Sequence, residues 1–98
     1  MKKVTDLSRR EQSVLVNLGF HIIDLRKEKG YSQLRLAYKA NISKNYLSDL
    51  ENGRRNPSIL VLQRIADALD CDLVSLMETV SPEKEKPKGR TLYEEYLL

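Results

Sequence analysis

Ser43, Lys44, Asn45, Ser48 and Asp49 fall within seven consecutive residues and end in hydrogen-bond donors or acceptors. A lysine donates to guanine O6 and N7, an asparagine pairs with adenine through two bonds, and an aspartate accepts from cytosine N4. The same five residues would equally serve as the solvated side of an ordinary amphipathic helix. The frame that holds them decides between these readings.

That frame is the stretch Gln33 to Asn52, which reads as two short helices joined by a tight turn. Leu36, Ala37 and Ala40 recur at helical spacing in the first half and Leu47 and Leu50 in the second, with Ile42 between them. Ala37 carries only a methyl group, as the close crossing of two steeply inclined helices requires. Asn41 stands where the chain must reverse, and asparagine tolerates a left-handed backbone better than any residue but glycine. Ser43 stands at an N-cap position, so a second helix is predicted from Lys44. Its polar side then faces outward.

With these residues in register, the chain resembles the Cro and phage-repressor type (XRE-like) of helix-turn-helix regulator. The likeness runs from about Leu18 to about Met77 and is most specific in LRKEKGYSQ, YLSDLENGRRNPS and LQRIADALD. From Ser43 to Ser58 it is similar to the controller proteins of restriction-modification systems. The resemblance implies an all-α, five-helix domain of the lambda-repressor kind. It implies base contacts from Lys44, Asn45 and Asp49, with Ser43 and Ser48 beside them, and a phosphate contact from Gln33. It also implies a backbone-clamping loop of Asn52, Arg54, Arg55 and Asn56, and an Arg26–Glu51 ion pair that ties the first helix to the recognition helix. The pattern is shared by phage repressors, plasmid regulators and antitoxins, so it implies a mode of binding and not a circuit.

Three positions depart from the family pattern. Asn41 replaces the usual turn glycine. Arg35 stands where a glutamate would complete a capping box with Ser32, and is expected to face phosphate. Tyr46 is bulkier than the small polar residue common there; it either contacts the DNA backbone or a thymine methyl, or packs half-buried on the domain.

Charge is segregated along the chain. Arg26 to Arg55 holds eight basic and three acidic residues, a balance of +5, whereas residues 56–80 hold one and four, a balance of −3. A net charge of +3 is therefore compatible with a concentrated positive surface, as phosphate contact requires.

The rest of the chain must carry this unit. Ser8 and Glu11 have capping-box spacing, so a first helix is expected to run to Gly30, burying Leu15, Leu18, Ile22 and Leu25. Gly53 should end the recognition helix. Ser58 should cap a fourth helix carrying Leu60, Leu62, Ile65, Ala66 and Leu69, and Asp72 a short fifth through Leu73, Leu76 and Met77. At 98 residues the chain reads as one domain over 1–80 followed by an extension over 81–98. Cys71 and His21 are each the sole residue of their type, which leaves packing roles and excludes an internal disulfide or a zinc cluster. No glycine-rich phosphate loop, metal-ligand spacing or nucleophile–base arrangement appears, so no catalytic residue and no cofactor are assigned. No stretch reaches the roughly 18 apolar residues of a membrane span, and the start lacks a secretory apolar segment, so a cytoplasmic protein is expected.

SPEKEKPKGR over 81–90 reads as a charged, mobile linker. Residues 91–98 carry Leu92, Tyr93, Tyr96, Leu97 and Leu98 at helical spacing, too short a segment to stand alone. They are expected to dock on the domain itself, a second subunit or another protein. One bihelical unit reads only a few base pairs, so a homodimer on double-stranded DNA bearing an inverted repeat is expected. Leu73, Leu76, Met77 and Val80 would form its interface, with Tyr93 and Tyr96 as a second candidate. The competing reading is an antitoxin or protein-interaction module that holds a partner through residues 91–98.

Overall fold

The computed structural model describes residues 3–78, and the expectations for Val80, Tyr93, Tyr96 and the linker lie outside them. A 3-10 turn at Val4–Asp6 precedes five helices: α1 (Arg9–Glu28), α2 (Gln33–Ala40), α3 (Lys44–Glu51), α4 (Ile59–Ala68) and α5 (Leu73–Leu76). No strand occurs among the described residues.

Each α-helix starts on a side-chain cap found by its spacing. The hydroxyls of Ser8, Ser32, Ser43 and Ser58 and the carboxylate of Asp72 accept from the backbone N–H three residues on. At Ser8 the box closes in both directions, with Glu11 accepting from the Ser8 N–H at 3.0 Å. The Ser75 N–H bonded to Asp72 holds that carboxyl below the usual aspartate range. Asn41 closes α2 in the left-handed region at φ 58°, and the Ile42 N–H donates back to the Ala37 carbonyl. The turn between α2 and α3 is thereby fixed.

The core is built across these helices. Ile22 of α1, Leu36 of α2, Leu47 and Leu50 of α3, Ile65 of α4 and Leu76 of α5 are fully buried together. Helix α2 packs against α3 and α4, α1 against α3, and α5 against α4. His21 of α1 reaches the Ser75 carbonyl of α5 at 2.9 Å, a packing role. Leu60 corrects the sequence reading: it is 69% exposed, because it lies about 200° around α4 from Leu62 and so off the buried stripe.

Two glycines set how close the helices come. A Cβ on Gly19, in the middle of α1, would overlap the Glu51 carbonyl oxygen and lie 2.9 Å from that of Leu50. Gly53 turns the chain at φ 74°, and a Cβ there would meet Val16 at 3.0 Å. The end of α3 is thus pressed onto the backbone of α1.

Candidate nucleic-acid interface

Helix α3 has two unlike sides. Leu47, Leu50 and Glu51 are buried, whereas Ser43, Lys44 and Asn45 are exposed and Ser48 and Asp49 partly so. Asn45 and Asp49 are one turn apart and share the outer side.

The inner side is anchored by an ionic cluster. Glu51 receives Arg26 Nε on Oε2 at 2.7 Å and Arg26 Nη2 on Oε1 at 3.1 Å, and Arg26 Nη1 donates to the Tyr31 carbonyl at 2.9 Å. Gln33 completes it, its amide donating to Glu51 Oε1 at 2.8 Å. One carboxylate therefore joins α1, α2 and α3, and among the described residues no buried side-chain polar atom is left without a partner. One N–H of the Gln33 amide is thus engaged inside the domain, a contact the sequence reading did not anticipate beside the expected phosphate contact.

At the outer side, Asp49 is already paired. Its Oδ1 faces Arg54 Nη2 at 3.2 Å and its Oδ2 faces Arg55 Nε at 3.5 Å. The Arg55 guanidinium also lies over the Tyr46 ring at 5.1 Å, and Tyr46 is half-buried against the core. Asn52 donates to the Ser48 carbonyl at 2.8 Å and so closes the last turn of α3. Asn56 is exposed. Asn52, Arg54 and Arg55 of the expected clamp are thus collected at the C-terminal end of α3, with Asp49 among them.

A second group of cations stands on α2. Arg35 and Lys39, one turn apart, lie 5.4 and 5.6 Å from the Tyr31 ring centre. Sequence reasoning singled out Arg35 but missed Lys39, whose i, i+4 relation to Arg35 was the available signal. It also missed Gly19, an interior helix glycine of the kind that marks a close backbone approach.

The expected dimer residues are divided. Leu76 is fully buried in its own core and cannot meet a partner, which corrects the sequence reading. Leu73 and Met77 are half-buried, and the neighbouring Val74, not anticipated, is 81% exposed. A four-residue helix does not fix the phase of its apolar side from sequence.

Among the described residues there is no group of three or more His, Cys, Asp or Glu side chains that could hold a metal, and no helix is long and apolar enough to cross a membrane. Burial pushes the Cys71 thiol up, away from the reactive thiolate.

A family profile described as helix-turn-helix matches residues 22–76. The chain is 42% identical over 72 residues to the HTH-type transcriptional regulator y4dJ of Sinorhizobium fredii, a match covering 74% of this chain and 90% of that protein. It is 38% identical over 72 residues to the immunity repressor protein of Bacillus phage phi105, covering 71% of this chain and 50% of the repressor. The chain thus spans about half the length of that relative. Among solved structures, the restriction-modification controller protein C.AhdI from Aeromonas hydrophila superposes with a TM-score of 0.63 at 35% identity, over 63% of this chain and 94% of that one.

Proposed function

Because the chain belongs to the helix-turn-helix family of transcriptional regulators, DNA-binding proteins and not enzymes, we propose that it is a repressor or controller that reads an operator by laying α3 in the major groove. The observation that carries this reading is the division of α3. Leu47, Leu50 and Glu51 fasten one side to the domain, while Lys44 and Asn45 project from the other with the chemistry of base-edge recognition. Ser43, Ser48 and Asp49 extend that surface. Arg54, Arg55 and Asn56 beyond its end, and Arg35 on α2, are exposed and are the residues we assign to flanking phosphates.

A single α3 spans too few base pairs for a unique operator, so two copies binding an inverted repeat follow as the working assembly, their recognition helices about 34 Å apart. Leu73, Val74 and Met77 are the residues offered for contact between copies, in place of the buried Leu76. Whether the operator overlaps a promoter or lies beside it would then set repression or activation.

Selection of bound sites from a random duplex pool tests the whole reading. Enrichment of a symmetric sequence with half-sites one helical turn apart is expected. A pool that emerges unenriched, with the protein retained equally by all duplexes, overturns it.

A further inference from the structure

Asp49 is the one member of the outer side of α3 with cationic partners at both carboxylate oxygens, Arg54 on Oδ1 and Arg55 on Oδ2. Those two arginines are the same side chains offered to phosphate. We propose that Asp49 is a specificity-determining residue that acts through them, withholding Arg54 and Arg55 from DNA unless a base-edge amino group takes their place at its carboxylate. The proposal rests on the DNA-reading function given above and deepens it.

The exchange follows from the geometry. Exposed ion pairs at 3.2 and 3.5 Å are weak enough for both guanidinium groups to change partners. On an arbitrary duplex, the arginines that move to phosphate leave Asp49 as an unpaired carboxylate in a groove lined by negative charge, and that repulsion opposes binding. Opposite a cytosine N4 or adenine N6 amino group, the carboxylate regains a donor and the arginines are released without that loss. Asp49 lies one turn from Asn45 on the same side of α3, so a base read by one neighbours the base read by the other. Two anchors make the arginines return to one place when free: the Arg54 N–H bonds the Asp49 carbonyl at 2.8 Å, and Arg55 rests on Tyr46. Discrimination here comes from a cost laid on wrong sequences as well as from a bond to the right one.

The test compares the full chain with Asp49→Asn, on the selected operator and on a random duplex of equal length, across a salt series. Asparagine keeps the shape and removes the charge. The variant is expected to bind random DNA about 3- to 10-fold more tightly at low salt with a steeper salt dependence, and to lose about tenfold in the ratio of specific to random affinity. In an Arg54→Ala, Arg55→Ala background only the repulsion between the carboxylate and the duplex is left to relieve, so Asp49→Asn should give a clearly smaller gain on random DNA. Unchanged or weaker random binding overturns the proposal, and so does an equal gain in both backgrounds, which would mark a general charge effect. A native protein that shows no preference for any selected duplex would instead refute the base-reading function itself, and the withholding role with it.

Discussion

Glu51 and Asp49 are two residues apart on one eight-residue helix, yet their carboxylates serve different parts of the molecule. The Glu51 side chain is 2% exposed and takes its donors from α1 and α2; that of Asp49 is 33% exposed and takes its donors from the loop that follows α3. The first pair of oxygens holds a helix in place. The second sits among exposed arginines that, on the function proposed above, exchange it for DNA. A short recognition helix can therefore carry both its attachment and its reading surface, provided the two fall on opposite sides and use separate cations.

Substitutions should separate the two regions, and the inner one should give the larger changes. Glu51→Ala leaves the Arg26 guanidinium, 12% exposed, without its carboxylate, and a loss of about 3–5 kcal/mol in urea-unfolding stability is expected. A loss below about 1 kcal/mol would show that the inner cluster is no anchor. Gly19→Ala forces a methyl group onto the Glu51 carbonyl, so about 1–3 kcal/mol of destabilisation is expected, with weaker DNA binding only as α3 is displaced. Asn45→Ala should do the reverse: about 1–3 kcal/mol lost on the selected operator, none on random DNA, and an unmoved unfolding midpoint. An equal loss on both duplexes would put Asn45 with the phosphate contacts and blur the contrast. The smallest effect belongs to α5. The Asp72 carboxyl is held below its ordinary value of 3.8 by the Ser75 N–H, so its contribution is full above that value and fades as pH falls through the lower folded one. Helical circular dichroism followed from about pH 4 to pH 2 should lose less signal in Asp72→Asn than in the native protein, because the amide does not titrate.

The parts of the fold that were legible in the sequence are those whose physics is local. Ser8, Ser32, Ser43, Ser58 and Asp72 act within three residues, and Asn41 within its own backbone dihedrals, so type and spacing sufficed. The Arg26–Glu51 pair spans 25 positions and came only through family likeness. Gly19 was overlooked because what makes it necessary is the backbone of another helix. Leu76 was misjudged and Val74 passed over because four residues make barely one turn, and either could have pointed inward. At the candidate interface the residue types were readable but their engagements were not. Nothing local predicts that Gln33 turns to Glu51, or that Asp49 gathers Arg54 and Arg55.

Because Leu47, Leu50 and Glu51, with Tyr46 beside them and Ser43 as cap, fasten α3 to the body of the protein, the exposed Lys44 and Asn45 side chains are released from duty to stability. Given the base-reading role proposed for them, a handful of codon changes there would redirect such a regulator to a new address in a genome while leaving its folding untouched. Descendants of one ancestor could thus divide control of separate genes, and the same exchange is open to an engineer transplanting Lys44, Asn45 and Ser48 from one scaffold to another.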